Sequence, residues 1–153
     1  MTQLLGSVRG QVAPERRLIE VLGTGGADRF IPDLTEDHVC YADDDWLYLM
    51  SVSGWGHEAV VTLQAWDGEP TAEPDAEVTE STRMRLTEGR VYVSRNGEAA
   101  VSPVLDAGPP GEFAVRVDVA GRAALQEADD DPDRPDWIYG MEQFTVHFWP
   151  IGR

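Results

Sequence analysis

The chain has 153 residues, 42% of them apolar and five of them tryptophan, enough to bury a core within one domain of ordinary size and to exclude general disorder. Its 28 acidic residues outnumber 12 basic ones, all arginine, for a net charge of −16; this surface repels phosphate backbones and anionic lipid, which argues against direct binding to nucleic acid or membrane. No apolar run approaches the roughly 20 residues of a membrane span. The opening MTQLLGSVRGQVAPERR lacks the basic cluster and apolar core of a secretory signal, and the single cysteine, Cys40, permits no internal disulfide. Together these features suit a reducing cytoplasm.

Along the chain, apolar residues recur with period two far more often than with period 3.6. RRLIEVL (16–22) is compatible with a first strand or a short helix, and GTGGADRF breaks it. WLYLMSV (46–52) and EAVVTLQAW (58–66) read as two strands joined by the glycine-rich SGWGH. VTESTRMRL (78–86) and VYVS (91–94) flank Glu88-Gly89, which suggests a hairpin, and Asn96-Gly97 is a second, stronger turn signal. AVSPVL then reads as a short edge segment because of Pro103. GEFAVRVDVAG (111–121) is the cleanest strand, with Phe113, Val115, Val117 and Val119 on one face and Ala114, Arg116 and Asp118 on the other. EQFTVHFWP (142–150) repeats the scheme, Phe144, Val146 and Phe148 inward, Thr145, His147 and Trp149 outward. EPTAEPDAE and EADDDPDRPD are proline- and acid-rich and read as exposed loops. The expected fold is all-β, a single-domain antiparallel β-sandwich of about eight strands. Residues 1–153 form that one domain, and residues 1–38 can make a loosely packed N-terminal extension.

The densest charge lies in EADDDPDRPDW (127–137), six carboxylates and one arginine. Asp129, Asp131 and Asp133 alternate as ligands do in a calcium loop, but the sixth and twelfth positions counted from Asp129 hold Arg134 and Gly140 where glycine and glutamate are needed. A solvated or partner-facing loop fits better. Gly23-Thr24-Gly25-Gly26 is an incomplete dinucleotide fingerprint, with Asp28 in the third glycine's place; it reads as a turn. His38 and Cys40 offer two metal ligands without a third, and no cysteine-hydrolase signature surrounds Cys40. Neither a cofactor nor a metal is expected.

From Trp46 onward, the central strand pair, the run TESTRMRLTEGRVYVS, the strand GEFAVRVDVAG and the closing EQFTVHFWP resemble the competence-protein-J family and uncharacterised actinobacterial proteins ending in an aromatic-Trp-Pro motif. The best-known members of that family are small acidic inhibitors of a DNA-entry nuclease. The resemblance implies a non-catalytic inhibitor or immunity-type protein, and the acid excess independently favours a basic protein partner, drawn in by long-range attraction. The residues expected to meet that partner are Asp43, Asp44, Asp45, Asp129, Asp130, Asp131 and Asp133, with Arg116, Asp118 and Trp149 on outward strand faces. Two alternatives stay open: a carbohydrate or small-ligand module using Trp55, Trp66 or Trp149, and a calcium-dependent domain or enzyme.

Overall fold

The computed structural model describes residues 1–26, 38–97 and 99–151. Alternation decides the architecture. In β10 (Gly111–Ala120), Phe113, Val115, Val117 and Val119 are all fully buried, and in β11 (Ile138–Pro150) so are Phe144, Val146 and Phe148. Each such side chain contributes about 1.5–3 kcal/mol on leaving water. Slipping either strand by one residue would turn the whole set outward, so the pairing register is firmly specified.

Among the described residues these strands belong to two packed sheets, and the all-β sandwich expected from the sequence is the fold. The first sheet has the order β1 (Leu4–Val12), β5 (His57–Trp66), β11, β10 and β6 (Val78–Leu86). The second runs β3 (Cys40–Asp43), β4 (Trp46–Met50), β2 (Leu18–Gly23), β7 (Arg90–Arg95) and β8 (Ala99–Ala100), with β9 (Leu105–Asp106) also on β7. Every pairing is antiparallel except that of β5 with β11, a parallel pair at the centre of the first sheet. Two elements of the segment 1–38 are strands, β1 alongside β5 and β2 between β4 and β7. Gly10 in β1 has a steric reason: a Cβ there would sit 2.6 Å from the carbonyl oxygen of Val101, so the 101–105 connection crosses close over this strand.

Three sequence-based expectations change in detail. The 78–86 and 90–95 segments are not a hairpin: β6 pairs with β10 and β7 with β2, so the Glu88-Gly89 turn carries the chain from one sheet to the other. By contrast Asn96 and Gly97 both have positive φ (54° and 70°) and do turn β7 into β8. The 16–22 ambiguity resolves to a strand. The acidic stretch is not all loop, because α1 (Arg122–Asp129) runs into it and buries Leu125. That helix starts at Gly121, whose φ of 83° and whose missing Cβ are both required: a Cβ would collide with the Met141 carbonyl. Glu77 supplies the cap from outside the helix, accepting from the backbone N–H groups of Gly121 and Ala123.

Candidate functional site

The connection between β4 and β5, residues 51–56, is held from beneath by a buried polar cluster. Ser51, His57 and Glu142 are almost completely inaccessible. Ser51 Oγ donates to Glu142 Oε1 (2.5 Å) and accepts from the N–H of Ser53 (3.1 Å). The other oxygen of Glu142 accepts from the N–H of Val52 (3.0 Å) and from Arg122 (3.3 Å), and Arg122 also donates to the Met50 carbonyl. His57 Nε2 lies 3.0 Å from both the Ser53 carbonyl and Ser51 Oγ, which assigns the proton to Nε2; Nδ1 is buried and has no hydrogen-bond partner among the described residues. A nucleophilic relay needs the carboxylate on the far imidazole nitrogen and the hydroxyl open to substrate. Here the carboxylate takes the hydroxyl itself, in a place no substrate reaches. What the cluster does is fix the backbone of the loop that carries Trp55.

From above, the same loop is clamped by Arg134. Its guanidinium stacks on the Trp55 ring, 3.8 Å from the ring centre, and donates to the carbonyls of Trp55, Gly56 and Pro135. Its Nε donates to Asp129 (2.8 Å). The single arginine of EADDDPDRPDW thus answers one of that stretch's six carboxylates and ties the acidic segment to the Trp55 loop. Next along the chain, Trp137 donates its indole N–H to Glu58 (3.1 Å) and packs near Tyr139, ring centres 6.3 Å apart. Trp55, Trp137 and Tyr139 are 57%, 41% and 67% exposed, and they are the only exposed large aromatics among the described residues.

The sequence-predicted contact residues divide sharply. Asp130, Asp131 and Asp133 are exposed on the segment that leads into Trp137, and Asp43 and Asp44 are exposed where β3 turns into β4. Asp45 is not available to a partner: it is buried with φ of 61°, and its carboxylate accepts from both the N–H and the hydroxyl of Thr87. Arg116 and Asp118 do face outward on β10, but they too are buried. The 67–77 segment crosses over them, and Arg116 donates to the carbonyls of Pro70 and Thr71. Asp118 accepts from Thr79 (2.7 Å) and from His147 Nε2 (2.8 Å), while His147 Nδ1 accepts from the Trp66 indole. Burial holds the His147 pKa below its ordinary value, against the opposing pull of the Asp118 hydrogen bond. Trp149 is half-buried opposite Ala114.

The aspartates of the calcium-like spacing do not converge, since Asp129 turns to Arg134 and Asp131 accepts the N–H of Asp133. No cluster of three or more potential metal ligands occurs among the described residues. Cys40 directs its thiol at Glu80 (3.3 Å); burial first, then that carboxylate, push its pKa far above the ordinary thiol value, so it stays protonated. His38 faces the same carboxylate. Asp28 lies outside the described residues. Trp55 and Trp66 flank opposite ends of the ten-residue β5, about 30 Å apart at 3.3 Å per residue, so they cannot form one stacking row for a sugar. Trp66 instead lines a cavity of about 370 Å³ with Leu5, Pro109, Pro150 and Ile151.

No protein-family model matches the chain, and no curated protein matches it in sequence. Two solved structures share its fold. One is ComJ from Bacillus subtilis, the inhibitor of the DNA-degrading activity of NucA: the likeness covers 99% of each chain with a TM-score of 0.62 and 10% identity. The other is the product of crocagin biosynthetic gene J, which covers 97% of this chain and all of its own length, with a TM-score of 0.54 and 15% identity. The fold is therefore that of the ComJ structure from end to end. No helix among the described residues is long and apolar enough to cross a membrane.

Proposed function

We propose that this chain is a non-catalytic, acidic protein-binding domain that inhibits a basic nuclease or toxin in the cytoplasm. The observation that carries the reading is the full-length structural likeness to ComJ, joined to a net charge of −16. A nuclease must present a basic groove to nucleic acid, and an anionic β-domain can occupy that groove in place of phosphate. The contacts assigned to it are the exposed carboxylates Asp130, Asp131 and Asp133, with Asp43 and Asp44 adding to the long-range attraction. The buried, hydrogen-bonded thiol of Cys40 suits a reducing compartment.

The test is a DNA-digestion assay in which the purified chain is titrated into NucA and a panel of other basic nucleases and nuclease toxins. Stoichiometric inhibition of at least one, weakening as salt rises from low to physiological concentration, is the expected result. Inhibition insensitive to salt would remove the charge-based account, and failure against the whole panel would remove the inhibitor reading.

A further inference from the structure

We infer that Trp55, Trp137 and Tyr139 form the apolar centre of a docking surface for an arginine-bearing protein, with Asp130, Asp131, Asp133 and Asp136 as its charged rim. This deepens the protein-binding reading above and rests on it. Most of the chain's aromatic side chains go into packing: Phe113, Phe144 and Phe148 are fully buried, and Trp46 and Tyr48 pack with Leu22. Among the described residues the exposed large aromatics all lie where the 51–56 loop meets the start of β11, with Ile138 donating its N–H to the Gly56 carbonyl and pairing with His57. Exposed aromatics gathered at one place, on a chain segment that also exposes Asp130, Asp131, Asp133 and Asp136, mark an interaction surface rather than scattered surface apolarity.

Charge selects the occupant. A second copy of this chain would bring its own carboxylates against the rim, so like-charge repulsion opposes self-association there. A basic surface meets the rim favourably, and arginine suits the centre better than lysine because its planar guanidinium stacks on aromatic faces. The chain already contains that contact, Arg134 on Trp55 at 3.8 Å. The surface is also built in advance: Glu142, Ser51 and His57 hold the loop from below and Arg134 clamps it from above, so little ordering cost remains for binding.

The experiment measures octa-arginine and octa-lysine binding to the full chain by calorimetry at physiological salt, with Trp137→Ala/Tyr139→Ala as the test variant and Val104→Ser, an exposed apolar residue elsewhere, as control. Octa-arginine should bind more tightly than octa-lysine. The double variant should weaken it about tenfold or more, and the control by less than about twofold. No octa-arginine binding, or equal affinities in wild type and double variant, overturns the surface. The digestion assay separates this from the broader reading. Nuclease inhibition retained in full by the double variant sinks the surface and leaves the inhibitor standing, whereas arginine binding lost in the double variant, with no nuclease inhibited, supports the surface and sinks the inhibitor.

Discussion

Two runs of acid look alike in the sequence, ADDDW at 42–46 and EADDDPDRPDW at 127–137, and the fold treats them differently. In the first, the chain reverses between β3 and β4, and the third aspartate turns inward in a left-handed conformation to bind Thr87; Asp43 and Asp44 are left on an ordinary solvated turn. In the second, one arginine takes up one carboxylate and stacks on Trp55, while the other aspartates stay exposed on the segment that leads into the exposed Trp137. Equal charge density is therefore not equal opportunity. An acidic run becomes a candidate contact surface where the fold sets apolar area beside it and holds both in place.

That contrast can be broken by experiment, beginning with the support of the second region. Glu142→Ala leaves Arg122 and the N–H of Val52 without their carboxylate in a buried setting, so urea unfolding should show a loss of about 3–5 kcal/mol. Asp45→Ala removes two hydrogen bonds to a carboxylate that also tolerates positive φ; a loss of about 2–3 kcal/mol is expected by the same measurement. Arg134→Ala should cost about 1.5–3 kcal/mol and speed hydrogen exchange in 129–138, and unchanged exchange there would show that the arginine does not clamp the segment. His147→Gln tests Asp118, another aspartate that the fold uses internally. Because the folded-state pKa of His147 lies below 6.5, the folded protein binds fewer protons than the unfolded chain; stability is full above pH 6.5 and falls as pH drops below it toward the folded value. The variant should flatten that decline in thermal midpoint. Smallest of all, Asp43→Asn/Asp44→Asn should shift unfolding by no more than about 0.5 kcal/mol. A larger shift would mean that the first run also has a structural duty.

Much of this was legible in the residues. Parity along β10 and β11 identifies the inward faces, and it marks buried polar groups as well. Glu142 shares parity with Phe144, Val146 and Phe148, and His57 with Ala59, Val61 and Leu63, so alternation alone marks both as inward polar groups that must find partners. Arg116, Asp118 and His147 are different: they face outward on the sheet, and they are covered by tertiary contacts with no local signature, the 67–77 crossing over Arg116 and the Trp66 ring over His147. The same holds for the supposed 78–95 hairpin. Glu88-Gly89 is a sound turn, but local chemistry cannot say whether a turn returns to its own sheet or crosses to the facing one. α1 has no visible signal in the sequence because its eight residues bury one leucine, too little for a helical period to show. Asp45 differs from its neighbours only through the backbone bend it occupies.

The parallel pairing of β5 with β11 has a consequence for synthesis. The strand flanked by β5 and β10 is the 138–150 segment, so a nascent chain has β5 made long before, and β10 shortly before, the piece that joins them leaves the ribosome. Until then the middle of that sheet is two unsatisfied edges. A polypeptide interrupted before residue 138 should be insoluble rather than partly active, making this a molecule that exists whole or not at all.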